Sequence, residues 1–592
     1  MTLQMVVVLI LITIMLVLLI FEVARPGLIL FGVLVTLMLL RIITPKEALN
    51  GFSNEGMITI ALLFIVAASI QKSGFVDELM KKWIEKSKTT IGTKIRFFVP
   101  LAILSAFLNN TPIVMTFMPV IKNWCEQKGI SPSKYLIPLS YVTILGGTIT
   151  LIGTSTNMVV HGMLLDYGYD GFSIFSFTAI GIPITIVGMI YVFTIGERLL
   201  PSHQGIKQQV SEHIKEYIAE IHVEAEFPYI HKTVVEAGFF KLDGLYLIAI
   251  IRDDGRISSV TPSTKIELYD RLMFTGKIGD LANLQKQEGL RLKTGADFDL
   301  DDLKNNRTHL VEAVISHQSS LSFKTIKQLK FRSKYDAGVI AVHRNNEHIR
   351  NKIGDIILKP GDSLLLLTSS NFIEKYRQSN DFYIISKVDT PNTIKNSTLK
   401  GIASLGLLLT MIVLVTFNVF SMLEAMALAT LLLFITKLVN ISDVKKNMDF
   451  QVLFVIACSL GIGSAMTKTG LAEWIATNII HITKGEGILL VLVLIYVLTN
   501  IFTEVITNSA AAALMLPIAL EISQVLDVDP IGLALLVAIA ASASFMTPIG
   551  YQTNLIVYGP GGYKFFDYVK IGAPLSILVM ITSITVIYSF WF

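Results

Sequence analysis

Long apolar runs separated by short polar breaks occupy both ends of the chain. In the first third they fall at about 5–22, 27–44, 56–71, 135–163 and 174–196, and in the last third at about 398–418, 421–437, 450–467, 531–558 and 571–590. Each is long enough to read as a membrane-spanning helix. Each end also holds one further run, 97–121 and 487–519. The first of these has Lys94 and Arg96 before it and Lys122, Lys128 and Lys134 after it. Basic flanks favour the cytoplasm, so this run is expected to enter and return. Arms of about 12 residues at about 1.5 Å per residue reach roughly 18 Å, which carries a tip at Asn109 and Asn110 to the bilayer midplane.

The two ends are copies of one another. Ser105–Asn157 and Thr503–Asn554 share a spacing of nine positions from asparagine to proline (Asn110 to Pro119, Asn508 to Pro517) and four from glycine to asparagine (Gly153 to Asn157, Gly550 to Asn554). The match extends outward at an offset of about 396 to 398 residues: LysSerGly at 72–74 recurs as LysThrGly at 468–470, each followed by an amphipathic piece with a tryptophan, Trp83 and Trp474. Five spans per copy is an odd number, so the copies insert in opposite senses. The expected fold is a polytopic α-helical membrane protein: an inverted repeat of five spans plus one re-entrant hairpin each, with a cytoplasmic α+β insertion. Repeat 1 covers 1–199, with its hairpin at about 97–121 and a broken helix at about 135–163. Repeat 2 covers 396–592, with its hairpin at about 487–519 and a broken helix at about 531–558. Both termini are expected outside.

Between the repeats, 200–395 is polar and also doubled. TyrLeuIleAlaIleIleArg at 246–252 matches GlyValIleAlaValHisArg at 338–344, and Asp270 matches Asp362, both at an offset of 92. Short alternating strands with one helix-like segment per copy (ThrValValGluAlaGly; ThrIleLysGlnLeu) predict two small α+β units, 205–292 and 300–388.

Composition sharpens this picture. With 592 residues, 52% hydrophobic and 16% charged, and a mean hydropathy of +0.62, the chain belongs in a lipid bilayer. A net charge of +4 offers no nucleic-acid surface. Cys125 and Cys458 support neither a disulfide framework nor a zinc site and read as packing residues. The run 5–21 lacks a basic leader and a cleavage site, and reads as a retained span. No nucleotide loop, metal cluster or nucleophile arrangement argues for an enzyme.

Non-helical backbone at membrane depth is tolerated only where it is buried in protein or lines a cavity. Two hairpin tips and two glycine-broken spans are expected to converge there. Freed carbonyls with Asn, Ser and Thr oxygens suit a small alkali cation, and freed N–H groups suit an anion. Neither hairpin has an Arg or Lys to pair with that anion, so bound cations would neutralise it. The bland alternative is that Ala510–Ala513 merely permit close helix packing and that the asparagines glue helices together. Glu504, whose counterpart is Ala106, has two readings: an intramembrane carboxylate with a coupling role, or an acid shallow enough to reach water with a plain structural one. His161 and Glu424 read as packing or snorkelling residues.

At these residues the sequence resembles the divalent anion:sodium symporter family, whose signature is a Ser-Asn-Thr type triplet in each hairpin and a Gly-Thr-Pro-Pro-Asn type loop in each broken helix. Here the triplets are AsnAsnThr and ThrAsnSer, and Ser155–Thr156 and Gln552–Thr553 replace the proline pairs, which looks more like the sulfate-type branch. The resemblance implies an elevator transporter that is a homodimer and binds two or more Na+ ions. A first sodium site would use Ser105, Asn109, Asn110 and the Gly153 loop, and a second Thr503, Thr507, Asn508 and the Gly550 loop. A small inorganic or organic dianion would lie among Asn110, Thr111, Thr154, Asn508, Ser509 and Tyr551. The soluble units resemble the C-terminal subdomain of regulator-of-potassium-conductance modules (TrkA-C-like), which implies a small-molecule or nucleotide ligand; a dimerising insert without a ligand is the alternative. The expected function is sodium-coupled symport of a divalent oxyanion, sulfate first. The alternatives are a di- or tricarboxylate symporter, an exchanger or a proton-coupled carrier using Glu504, and an anion-sensing membrane regulator.

Overall fold

The computed structural model describes residues 2–72 (apart from 22 and 25), 90–202, most of 218–387, most of 398–483, and 487–592. Within 218–387 it leaves out 240–244, 253–256, 277–287, 294–307 and several shorter stretches. Trp83 and the basic residues at 81–89 lie outside the described residues.

The first end of the chain folds as α1 (Leu3–Ile20), α2 (Pro26–Leu39), α3 (Pro45–Asn50), α4 (Glu55–Lys72), α5 (Thr90–Ser105), α6 (Asn110–Gln127), α7 (Ser133–Gly147), α8 (Ser155–Asp166), α9 (Thr178–Phe193) and α10 (Ile195–Leu199). The helix read at 27–44 stops at Leu39. Arg41 takes a left-handed φ of 57°, and Thr44 then caps α3, exchanging hydrogen bonds with Glu47 while Pro45 fills the first helical position.

The described residues between the two ends form two five-stranded antiparallel sheets of one topology. The first comprises β1 (Ile218–Val223), β2 (Leu245–Ile251), β3 (Ile257–Ser259), β4 (Arg271–Gly276) and β5 (Leu290–Lys293), in the order β3-β2-β4-β1-β5. The second comprises β6 (Thr308–Ile315), β7 (Ala337–Arg344), β8 (Glu347–His348), β9 (Ser363–Ser369) and β10 (Phe382–Lys387), in the order β10-β6-β9-β7-β8, with the short helices α11 (Phe331–Tyr335) and α12 (Phe372–Tyr376). The segments read as helix-like are capped turns instead. Thr233 and Glu236, and likewise Thr325 and Gln328, close a single turn by hydrogen bonds between side chain and backbone, and the chain then leaves helical geometry.

The second end carries α13 (Thr398–Thr416), α14 (Met422–Ile435), α15 (Phe450–Lys468), α16 (Leu471–Ile482), α17 (Ile488–Val505), α18 (Asn508–Leu526), α19 (Pro530–Ser542), α20 (Gln552–Tyr558) and α21 (Phe565–Trp591). The sequence from α5 to α9 thus recurs from α17 to α21, including the interruption between α7 and α8 and that between α19 and α20.

The hairpin arms are longer than the expected 12 residues: 16 and 18 in α5 and α6, 18 and 19 in α17 and α18. In the first hairpin α5 and α6 continue past their apolar parts and take in Lys94, Arg96 and Lys122, three of the basic residues read as flanks. Lys94 in α5 is buried, paired with Glu197 at 2.5 Å and 5.6 Å from the Tyr135 ring centre.

Among the described residues, four helices are long and apolar enough to cross a membrane, and α15 with α16 forms a fifth candidate bent by 70°. Ile182, Ile186 and Ile190, spaced every four residues on α9, are 43%, 54% and 59% exposed. Such an apolar stripe on the outside fits a lipid surface. Glu424 caps α14 with Ser421, His161 accepts a hydrogen bond from the Phe172 amide, and both cysteines are buried and form no disulfide, so these four residues read as structural.

Candidate functional site

The two hairpin tips, 106–109 and 506–507, face the two broken-span loops, 148–154 and 543–551. Around the first tip, the Ser105 hydroxyl lies 2.5 Å from Asn110 Oδ1 and 2.7 Å from the Thr143 carbonyl oxygen. Around the second, the Thr503 hydroxyl lies 2.9 Å from Asn508 Oδ1 and 2.6 Å from the Ala541 carbonyl oxygen. Each cluster therefore has one hydroxyl hydrogen shared by two acceptors, and a surplus of oxygen lone pairs. All of these residues are buried except Asn508, which is partly so. Three converging hard oxygens poor in protons are what a small alkali cation would satisfy.

Tight backbone approaches shape both cradles. A Cβ on Gly153 would overlap the Gly147 carbonyl oxygen and sit 2.8 Å from that of Ser105. The Gly147 position leaves room for the Asn110 amide, whose oxygen would be 2.6 Å from a Cβ there. Asn157 donates to the Thr150 carbonyl at 3.0 Å, and Asn554 to those of Ser544 and Thr547, both at 3.1 Å. These two asparagines hold the loops; their fixed distance from Gly153 and Gly550 was the signal in the sequence.

The copies differ where function is concerned. Asn110 Nδ2 donates to the Tyr551 hydroxyl at 2.7 Å, that hydroxyl lies 3.2 Å from Thr154 Oγ1, and Thr111 Oγ1 donates to Gln552 Oε1 at 3.1 Å. Asn110, Tyr551 and Thr154 thus form one network bridging the two ends of the chain, and Thr111 with Gln552 makes a second bridge beside it. Ser509 is buried at the start of α18. Asn109 and Thr507 use their side chains as caps, accepting from the amides of Thr111 and Ala510, both at 3.4 Å, which takes up part of the acceptor capacity they could offer a cation.

Glu504 is not the shallow acid of the second alternative. It is 7% exposed, and its Oε1 accepts from the Phe545 and Met546 amides, both at 2.9 Å. The carboxylate pins the start of the second loop, while the Thr547 hydroxyl donates to the Glu504 carbonyl at 3.0 Å. A second asymmetry concerns Ser140, whose hydroxyl lies 2.9 Å from Thr553 Oγ1 and 2.7 Å from Asn554 Oδ1. At the equivalent place in the other copy stands Ala538, and Thr156 Oγ1 and Asn157 Oδ1 are buried without a hydrogen-bond partner.

Tyr551→Phe is expected to weaken anion binding about five- to 150-fold, because it strands the buried Asn110 amide at a cost of roughly 1–3 kcal/mol. Sodium half-activation at saturating anion should move far less. Concentration series in both ligands, measured on the same proteoliposomes, separate the two effects.

A family profile described as citrate transporter matches residues 16–540 and again 412–592. The chain is 33% identical to a protein of Chlamydomonas reinhardtii named "Putative sulfur deprivation response regulator", over 93% of this chain and 96% of that one. It is 32% identical to an uncharacterised transporter of Synechocystis sp., over 93% and 91%. It is 24% identical to sodium/sulfate cotransporter 1 of Chlamydomonas reinhardtii, over 92% and 85%.

Proposed function

Since the chain belongs to the citrate transporter family, a family of membrane transporters and not of enzymes, we propose that it is a sodium-coupled symporter of a divalent oxyanion, with sulfate the first candidate. The observation that carries this reading is the pair of matched oxygen cradles, Ser105–Asn110–Thr143 and Thr503–Asn508–Ala541, each with one hydrogen for two acceptors. Two Na+ ions, one per cradle, would supply the positive charge that neither hairpin tip provides. The anion would lie between them against Asn110, Thr111, Thr154, Asn508, Ser509 and Tyr551. The sulfate assignment draws on the cotransporter relatives; the family's citrate description favours a di- or tricarboxylate as the second reading.

The recurrence of α5–α9 as α17–α21 supports an inverted repeat with 1–199 and 396–592 as its halves. Its hairpins and broken helices would move together, as an elevator, against the rest of a homodimer. The units at 205–292 and 300–388 are TrkA-C-like and cytoplasmic in this reading, and modulate transport by binding a small molecule or nucleotide. Glu504 acts on coupling by fixing the second loop.

Two experiments test this. Uptake of labelled sulfate, succinate and citrate into proteoliposomes should be sodium-stimulated for sulfate above the others; stimulation by carboxylates alone would transfer the assignment to the second reading. A cysteine placed at Asp170 should react with an impermeant thiol reagent only from outside, and one at Val444 only from inside. The opposite pattern would dismantle the inverted repeat.

A further inference from the structure

The two soluble units differ most informatively at positions 92 residues apart on one face. In the first unit, Glu220 in β1 is partnered within its own unit through one oxygen: Oε1 accepts from Arg271 Nε at 2.5 Å and lies 2.6 Å from His222 Nε2. In the second unit Glu312 is retained, but Arg271 has become Ser363 and His222 has become Val314. Glu312 thus lacks the counterparts of both Glu220 partners within its own unit. Its carboxylate is instead paired with Lys122 of the hairpin helix α6, both side chains being 9% exposed.

The other replacements follow the same direction. Val314 is fully buried and belongs to the hydrophobic core of the helical part, not to that of its own sheet. Ser363 is fully buried, and a Cβ on Gly559, just beyond α20, would overlap its Oγ. The turn between them is stiff: Arg344 makes two 2.7 Å bonds to Asp362, whose carboxylate also accepts from the Lys359 amide at 2.8 Å. Gly361, at the crown of that turn with φ 84°, lies so close to Leu555 that a Cβ would be 2.7 Å from its Cδ1.

We infer that this face of the second unit is a docking surface for α6 and α20, keyed by the Lys122–Glu312 pair, and that it couples the insert to the anion site. The two gripped helices are the ones that begin at that site. Asn110 and Thr111 open α6, and Gln552 opens α20 directly after Tyr551. At about 1.5 Å per residue, Lys122 is roughly 18 Å along α6 from Asn110, and Gly559 roughly 10 Å along α20 from Gln552. The second unit therefore holds both halves of the Asn110–Tyr551 bridge from behind. The first unit reaches this joint through the second, by the Arg332 guanidinium donating to the Leu247 carbonyl at 2.6 Å. The charge pair is oriented and withdrawn from water, so leaving either partner alone is costly.

This inference rests on the proposed modulation of transport by the insert, but its first readout does not depend on what is transported. A cysteine introduced at Ser363 of the full-length protein is expected to react with a soluble thiol reagent at least tenfold faster when combined with Lys122→Met or with Glu312→Gln. The exchanged pair, Lys122→Glu with Glu312→Lys, should return the rate most of the way. Glu220→Gln, the equivalent change in the first unit, should leave it unchanged. In uptake, the single substitutions should change maximal rate at least threefold with sodium half-activation within twofold of the parent. Glu312→Gln, nearly isosteric, keeps the test open if Lys122→Met does not fold. Unchanged labelling, or no recovery in the exchanged pair, overturns the docking surface. Increased labelling with unaltered transport overturns the coupling. Absent sodium stimulation in the parent with labelling as expected would instead count against the proposed symport alone.

Discussion

Asn110→Ala and Asn508→Ala are each expected to shift sodium activation about five- to 150-fold toward higher concentration, the range that corresponds to roughly 1–3 kcal/mol. The cause is local. Each substitution removes the side-chain oxygen that shares a hydroxyl hydrogen with a helix carbonyl, at 2.5 Å from Ser105 and 2.9 Å from Thr503, so a buried cation would lose one of three converging oxygens. Anion affinity should fall by a similar factor, because coupling between two bound ligands is reciprocal. The two variants should still differ. Asn110 also donates to Tyr551 at 2.7 Å, so its loss should reduce anion affinity further than the sodium shift accounts for. Asn109→Ala should be milder than either, since its side chain is occupied with the Thr111 amide. Initial-rate uptake over crossed sodium and anion concentrations measures all three; a folded Asn508→Ala with parental sodium dependence would remove the second cradle from the mechanism.

Gly153→Ala is expected to abolish sodium-dependent uptake, whereas Gly550→Ala should retain part of it. A methyl on Gly153 would meet backbone in every near direction: the Gly147 carbonyl, the Ser105 carbonyl at 2.8 Å and Gly147 Cα at 2.9 Å. None of these can yield without reshaping the first cradle. The methyl on Gly550 would first meet the Ser544 hydroxyl, which can rotate, leaving contacts of 2.9 Å to the Thr503 carbonyl and 3.0 Å to Thr547 Oγ1. Overpacking of a dense interior costs typically about 1–3 kcal/mol, and here it falls on the ligand geometry itself. Thermal unfolding of the purified variants in sodium and in choline should show sodium stabilising the parent, Gly550→Ala weakly and Gly153→Ala not at all. Equal damage at both glycines would contradict the difference between the cradles.

The halves of the chain were legible from sequence because duplicated spacing survives where composition drifts: the nine-residue and four-residue intervals located both tips and both broken spans. Residues that act through a side chain at a fixed interval, such as Ser105 with Asn110 and Thr503 with Asn508, were legible for the same reason. The carbonyl oxygens that complete the two clusters, those of Thr143 and Ala541, were not, since any residue type supplies a carbonyl and only the fold aims it. Helix limits were misjudged where hydropathy was the guide, because Lys94 and Lys122 are carried inside helices once Glu197 and Glu312 are present to pair with them. The depth of Glu504 stayed open in the sequence because the amides of Phe545 and Met546, which hold its Oε1, lie about 40 residues further along the chain. The contact between Lys122 and Glu312 joins positions 190 residues apart, and nothing local in the sequence announces it.

Sodium-to-anion stoichiometry is the most direct measure of whether two cradles drive transport. In proteoliposomes clamped at zero membrane potential, a tenfold inward sodium gradient is worth about 1.4 kcal/mol per ion. Two coupled ions therefore support about a hundredfold accumulation of labelled sulfate, or of whichever dianion the uptake panel selects. An accumulation near a hundredfold, lost when sodium is replaced by choline, is the expected result. Accumulation that stops near tenfold, or that proceeds as well on a proton gradient without sodium, would contradict it.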